Sequence, residues 1–300
     1  MYVPNGLVGD WQASDADFLK TFTLPSSDQK LETLREKHPF PRESRIHFDE
    51  KSHTYTIDGS ILVQKSVTKL IHQFTHDFDP QAVVAEMRDR NSWETKKLEF
   101  LKADGQPMST EEILAKWSLN GEVQRSRGTL VHYHIEQFLN GAQVEEPWSP
   151  EFQQFQQLFC GIKEEFKIYR TEISLFHCGL RIAGQADCLC LDRNGDVVIW
   201  DWKRSKKIEF DAQKQMKEPL AHLPDCNFYT YALQLNIYRH ILVSEYGMQV
   251  SRMFLGVVHP LLSAPQVIEL PVLQAEVALI VEHEGNRAPV PGADASFPAS

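Results

Sequence analysis

The order of elements predicts an α/β (α+β) fold, a central mixed β-sheet flanked by helices with a helical part toward the N-terminus. Three observations predict it. Hydrophobic residues make up 42% of the 300 and charged residues 24%, the composition of an ordinary globular core. Strand-like runs gather in the middle of the chain, over 171–176, 180–191 and 197–203. Helical runs precede and follow them without a clean β-α-β alternation, which argues against a doubly wound nucleotide fold. No Gly-x-x-x-x-Gly-Lys-[Ser/Thr] occurs, which removes the main nucleotide-hydrolase reading.

Taken in order, residues 1–40 are polar, with Pro25-Ser26-Ser27, and read as a weakly ordered arm. Residues 45–57 alternate (Ile46 and Phe48, then Tyr55 and Ile57) about Asp49-Glu50-Lys51-Ser52, a hairpin pattern, and 61–63 adds a third short strand. Ser66 precedes an apolar run and predicts an N-cap. Residues 80–127 read as mostly helical, with Ser109 or Thr110 capping ahead of Glu111-Glu112. A helix over 128–139 ends at Asn140-Gly141, a C-cap signal. Another spans 151–166. The strands follow, the last two joined through Asp192-Arg193-Asn194-Gly195-Asp196, where Asn-Gly is a strong hairpin signal. A long helix over 227–246 stops at Gly247, a strand covers 250–258, and a final helix covers 272–284. From Gly285 the chain is rich in Pro, Gly, Ala and Ser and reads as a disordered tail. The expected division is an arm over 1–40, a hairpin and helical region over 41–127, a core over 128–284 and a tail over 285–300.

A formal charge of −10 argues against nonspecific adhesion to nucleic acid but leaves room for a local basic groove. The five cysteines contain no C-x-x-C pair and do not suggest a disulfide framework. Cys188 and Cys190, two apart on a strand, read as buried small residues facing away from Asp187. No run approaches ~18 apolar residues, so no membrane span is expected. The first twenty residues hold Asp10, Asp15 and Asp17 and one basic side chain, Lys20, which fits neither a secretory nor a transit signal, so an intracellular setting is expected.

The chemistry concentrates in Gly184-Gln185-Ala186-Asp187 and Asp201-Trp202-Lys203. Strand residues two apart share a face, so Asp201 and Lys203 point the same way, and hairpin pairing can bring Asp187 beside them. Asp is disfavoured in strands, so these two need a reason. A salt bridge with Lys203 is the plain one. Two hard carboxylates and a lysine also suit a divalent cation and a water that attacks phosphate. His132 and Glu136 are four apart on one helix face, as are Gln234 and Tyr238. Taken singly, each of these residues, Glu172 included, has an ordinary structural explanation.

Their joint order is more specific. Gly-Thr-x-x-His-x-x-x-Glu from Gly128, then Glu172, Gly-Gln-Ala-Asp, Asp-Trp-Lys and Gln-x-x-x-Tyr resembles the P-D-(D/E)-x-K nuclease superfamily, and within it the RecB-like branch that includes the mitochondrial genome maintenance exonuclease and CRISPR-associated exonucleases. The likeness runs from about Gly128 to Leu242 and implies a restriction-endonuclease-like core. It implies Asp187, Asp201 and the Trp202 carbonyl as metal ligands and Lys203 as the catalytic lysine. It further implies His132 as a metal-binding histidine, Glu172 and Glu136 as supporting acids, and Gln234 and Tyr238 beside the catalytic core. One or two Mg²⁺ or Mn²⁺ ions are the implied cofactors. The superfamily's Pro before the first Asp is Ala186 here. The cysteines that hold an iron–sulfur cluster in some relatives are missing, since none follows Cys226, so no cluster is expected.

The expected activity is metal-dependent exonucleolytic hydrolysis of DNA with free ends or single strands. A catalytically silent DNA-binding module of the same fold and a restriction-like endonuclease are the alternatives. Arg125 and Arg127 ahead of the His132 helix, and Arg204, Lys206 and Lys207 after the catalytic strand, are the expected phosphate contacts. Trp93, Trp117, Tyr229 and Tyr231 read as core residues for the most part, or as rings on which bases could stack.

Overall fold

A computed structural model describes residues 17–22, 33–49, 54–59, 61–63, 65–90, 93–144 and 147–285. Most of the expected arm over 1–40, and the tail beyond Gly285, lie outside the described residues. The chain forms two compact units: Met1–Lys30 with Asp77–His134, and Leu31–His76 with Ile135–Ser300.

The first unit is helical. Asp79 caps α3 (Pro80–Asp89) by accepting from the N–H groups of Gln81 and Ala82. Short α4 (Trp93–Lys96) follows, then α5 (Thr110–Leu139). A reciprocal capping box opens α5: Ser109 Oγ accepts from Glu112 N–H, and the Glu112 carboxylate accepts from Ser109 N–H. Val84, Phe100 and Ile113 form the core, with Trp93 and Trp117 packed on it. Two helices were expected across 110–139, and one is found. A mid-helix glycine costs roughly 1 kcal/mol, too little for Gly128 to break a helix of this length. α5 belongs to the first unit through His134 and to the second from Ile135.

The second unit holds a mixed sheet flanked by helices. A short helix, α1 (Thr33–Lys37), comes first, then a small antiparallel sheet, β1 (Ile46–Asp49), β2 (Thr54–Ile57) and β3 (Ile61–Leu62). Its Tyr55 and Ile57 pack with Phe176 and Ala183. Ser66 caps α2 (Val67–Ile71), as its sequence predicts, by accepting from Lys69 N–H. Ser66 also ends a two-residue strand, β4 (Lys65–Ser66), that pairs in parallel with the later strand over Ile182–Leu191 and has no sequence signature at that length.

The main sheet runs β4-β6-β7-β8-β9, with β5 on the other side of β6. Its strands are β5 (Lys167–His177), β6 (Ile182–Leu191), β7 (Val197–Arg204), β8 (Val250–Val258) and β9 (Gln266–Glu269). β7 and β8 are parallel, while β5, β6 and β7 form an antiparallel meander. The 192–196 turn is locked by Asp192, whose Oδ1 accepts from the N–H groups of Asn194 and Asp196. Odd-numbered residues of β7 (Val197, Ile199) join the core with α7 (Asn227–Tyr246) and α8 (Gln274–Gly285). Even-numbered residues face α6 (Pro150–Glu165), where Phe155 meets Trp202 edge-on at 5.2 Å. α7 ends where its sequence predicts, at Gly247 with φ of 66°, a left-handed cap that only glycine adopts cheaply. Among the described residues, no helix is long and apolar enough to cross a membrane.

Candidate active site

The site forms where two strands of the sheet part. β6 and β7 pair from Leu191↔Val197 to Cys188↔Trp200, and the pairing stops there. The next residues on the two strands are Asp187 and Asp201, and both carboxylates act on the Lys203 ammonium, Asp201 by direct contact and Asp187 through its charge. Past the fork β7 stays paired to β8, but its other edge needs a partner. Asp187 supplies it: its Oδ2 accepts from the Trp202 N–H at 2.8 Å. This bond holds the Asp187 carboxylate across the fork. Carboxylates accept at both oxygens, so the bond orients Asp187 without excluding a cation.

Lys203 lies on the same face of β7 as Asp201. Its Nζ is 2.6 Å from Asp201 Oδ2, and Asp201 is only 2% exposed. Burial pulls the Lys203 ammonium toward a lower pKa, but the carboxylates of Asp201 and Asp187 outweigh it and hold the value above that of an ordinary lysine. The expected salt bridge therefore exists, inside the same cluster as the second carboxylate.

α7 supplies the other wall. Gln234 accepts a long hydrogen bond from Lys203 Nζ, 3.5 Å, and donates through Nε2 to the Tyr238 hydroxyl, 3.2 Å. Burial drives the Tyr238 phenol far above its usual pKa, so it stays neutral. Tyr238 fits because residue 184 is glycine: a Cβ there would stand 2.7 Å from Tyr238 Cε1 and 2.8 Å from its hydroxyl oxygen. Tyr231, one turn before Gln234, lies under the lysine, with Nζ 4.7 Å from its ring centroid. Such a contact favours the cation. Tyr231 is thus a residue of the site and not of the core alone, and its spacing of three from Gln234 is the sequence signal that places it on the site's face.

Glu172 stands on β5 with φ of 45°. For a residue other than glycine this left-handed conformation costs roughly 1–2 kcal/mol. Its neighbours Thr171 and Ile173 pair normally with Cys188 and Ala186. Gln185 Nε2 donates to the Glu172 carbonyl at 3.1 Å. Carboxylate oxygens of Glu172 and Asp187 come within 4.8 Å of one another, close enough to share one cation. Burial, and then the Glu172 charge, push the Tyr55 phenol up to about 12, which makes Tyr55 a further neutral phenol in this unit.

Glu136 is half-buried on the second-unit end of α5. One turn on, Asn140 Nδ2 donates to Thr171 Oγ1 at 2.9 Å, which ties this end of the helix to β5 beside Glu172. His132 sits one turn before Glu136 on α5, half-buried, within the first unit. Cys188 and Cys190 lie on the opposite face of β6, buried, with sulfurs 3.8 Å apart. Their mutual hydrogen bond, and then burial, push the Cys188 thiol well up. Such thiols are inert.

The expected phosphate contacts separate. Lys206 and Lys207 are exposed, and Lys207 pairs with Glu209 at 2.8 Å. Arg125 is exposed in the first unit, where the Arg127 guanidinium lies 4.7 Å from the Phe18 ring centroid. Arg204 is a correction. Strand alternation turns it to the face opposite Lys203, where its side chain is 6% exposed and bonds Glu151 Oε1 at 2.7 Å. It is a structural cation. Arg204→Gln is expected to destabilise the protein by about 3–5 kcal/mol, the cost of stranding a buried charge, and adding Glu151→Gln is expected to recover part of that. Denaturant melts of the two single variants and the double variant check this; equal and additive losses would contradict it.

The fold and this carboxylate–lysine cluster define a mixed α/β protein with a candidate metal-binding site at a strand fork. No family model matches the chain, and no curated protein matches it. Among solved structures, that of SSO0001 is similar to it at 16% identity over 74% of this chain and 75% of that one, with a TM-score of 0.27. A candidate exonuclease from Eubacterium rectale is similar at 10% identity over 75% of this chain and 74% of that one, also with a TM-score of 0.27. Both scores are too low to assign a fold or a function.

Proposed function

We propose that this protein is a metal-dependent deoxyribonuclease of the RecB-like P-D-(D/E)-x-K type, an exonuclease that hydrolyses phosphodiester bonds at DNA ends or in single strands. The observation that carries the reading is the fork itself: Asp187 held across it by the Trp202 N–H, Asp201 on Lys203, and both carboxylates acting on that ammonium. A buried salt bridge alone needs one carboxylate, and this cluster has a second, plus Glu172 within reach of Asp187.

The donor set suits Mg²⁺ or Mn²⁺, which take hard oxygen ligands. Asp187, Asp201, Glu172 and the Trp202 carbonyl would hold the ion, with Glu136 in support. When bound, such an ion lowers the pKa of a water and offsets phosphate charge. Lys203 has three N–H donors. Asp201 and Gln234 engage two of them, and the third can donate to a phosphate oxygen as charge builds there. Gln234, Tyr238 and Tyr231 hold the ammonium in place. The expected products carry a 5′-phosphate and a 3′-hydroxyl.

The test is to incubate the protein with Mg²⁺ or Mn²⁺ and DNA labelled at either end, in linear duplex, single-stranded and closed circular forms. Linear or single-stranded DNA should be degraded from an end, the closed circle should survive, and EDTA should stop the reaction. Cutting of the circle would instead make it an endonuclease. Binding without cleavage in either metal would support the silent module.

A further inference from the structure

We propose that Phe210 and the loop before it form a base-stacking subsite for single-stranded DNA, leading into the Lys203 cluster. The inference rests on the nuclease reading and adds to it the form of the substrate and a surface that receives it. Phe210 is 55% exposed and its ring faces solvent. Its ring does not hang free: Phe228, at the head of α7, backs it with centroids 4.7 Å apart. Phe228 is itself buried and meets Tyr229 edge-on at 5.2 Å.

The loop is held at several points. Asn227 accepts from Glu209 N–H at 2.8 Å and donates to the Lys207 carbonyl at 3.1 Å. Phe228 N–H donates to the Glu209 carbonyl at 3.3 Å. Ser205 Oγ donates to the Lys207 carbonyl at 2.8 Å, and Ile208 is buried beneath. An aromatic platform held this way loses little entropy when a flat ring settles on it.

Two features favour a nucleic-acid strand over a protein as the occupant. The first is continuity. Phe228, Tyr231 and Gln234 follow one another at spacings of three along α7, each step rising ~4.5 Å, and Tyr231 lies under Lys203. Phe210, through Phe228 that backs it, thus stands on the same helix as Tyr231, the ring under the Lys203 ammonium. The second is charge. Lys206 and Lys207 are exposed just before Phe210, and the Lys207–Glu209 pair is open to solvent, so it is weak and exchanges readily for phosphate. Glu209 and Asp211 flank the ring as well, so charge is mixed here and stacking carries most of the affinity. Stacking needs an unpaired base, which selects a single strand over a duplex.

The experiment measures binding of the full chain to a short fluorescein-labelled thymidine oligonucleotide, and to a blunt duplex, with Ca²⁺ replacing Mg²⁺. Phe210→Ala should weaken oligonucleotide binding about tenfold, Phe210→Trp should preserve it, and duplex binding should change little. Thermal melting should fall only slightly, since more than half of the ring is exposed and it packs on Phe228 from one side. Oligonucleotide affinity equal in wild type and Phe210→Ala would overturn the subsite, as would equal losses for oligonucleotide and duplex; end-dependent cleavage by the wild type would leave the nuclease reading intact in either case. A wild type that binds neither DNA and cleaves neither would overturn both.

Discussion

Lys203→Met is expected to reduce metal-dependent cleavage by on the order of 10²–10³-fold, the usual effect of removing one donor aimed at developing charge. The substitution keeps the length of the stem and removes the ammonium. It also leaves Asp201, almost wholly buried, without its counter-charge, so the metal-free protein should lose stability as well. The pH dependence identifies the source. The folded pKa of Lys203 is raised, so its contribution is fully present below the unfolded lysine value and is lost only as pH climbs through the higher folded value. In EDTA, the stability gap between wild type and Lys203→Met should hold steady from neutral pH to about pH 10 and close above that. Denaturant melts across this range check it, and a gap that closes near neutrality would place the stabilisation elsewhere. Adding Mn²⁺ should narrow the gap, because a cation takes over part of the charge balance on the carboxylates. Single-turnover cleavage near the wild-type rate would remove Lys203 from the mechanism.

Gly184→Ala has the second large effect. The new methyl would overlap Tyr238 at Cε1 and at the hydroxyl, and both residues sit in regular structure that cannot simply step aside. Overpacking of this kind costs typically 1–3 kcal/mol. Tyr238 must shift, and with it Gln234 and the hold on Lys203. A misplacement of about 1 Å can cost 10²-fold in rate, so activity should fall further than stability alone explains. Adding Tyr238→Phe removes the hydroxyl contact but keeps the ring-edge clash, so it should recover only part of the melting temperature. Full recovery, or a single variant that melts and cleaves like wild type, would show that Gly184 does not position the α7 residues.

Much of the architecture was legible because it is governed locally. The alternation of 45–57, the Ser66 cap, the helix from Asn227 to the Gly247 stop and the strand over 250–258 each follow from spacing and cap chemistry within a few residues, and each is found. The elements that escaped were short or carried by distant partners. β4 has two residues and exists through its pairing with β6, and β9 has four and exists through β8. The helix break expected at Gly128 failed for the converse reason: one glycine is a small local cost against thirty helical residues.

The candidate site divides in the same way. The sequence by itself determined that Asp201 and Lys203 share a face, by strand alternation, and that a hairpin through Asp192–Asp196 can bring Asp187 beside them. It also placed Gln234 and Tyr238 on one face of a helix. Only the tertiary structure decided that β6 and β7 part at those residues, that Asp187 bridges to Trp202 N–H across the gap, and that Tyr231 lies beneath the lysine. It alone turned Arg204 from an expected phosphate contact into the buried partner of Glu151, and left Phe210 outward on a fixed loop. The physical reason is one of range. Periodicity sets which way a side chain points along its own strand or helix, whereas burial and charge pairing depend on residues 15 to more than 50 positions away.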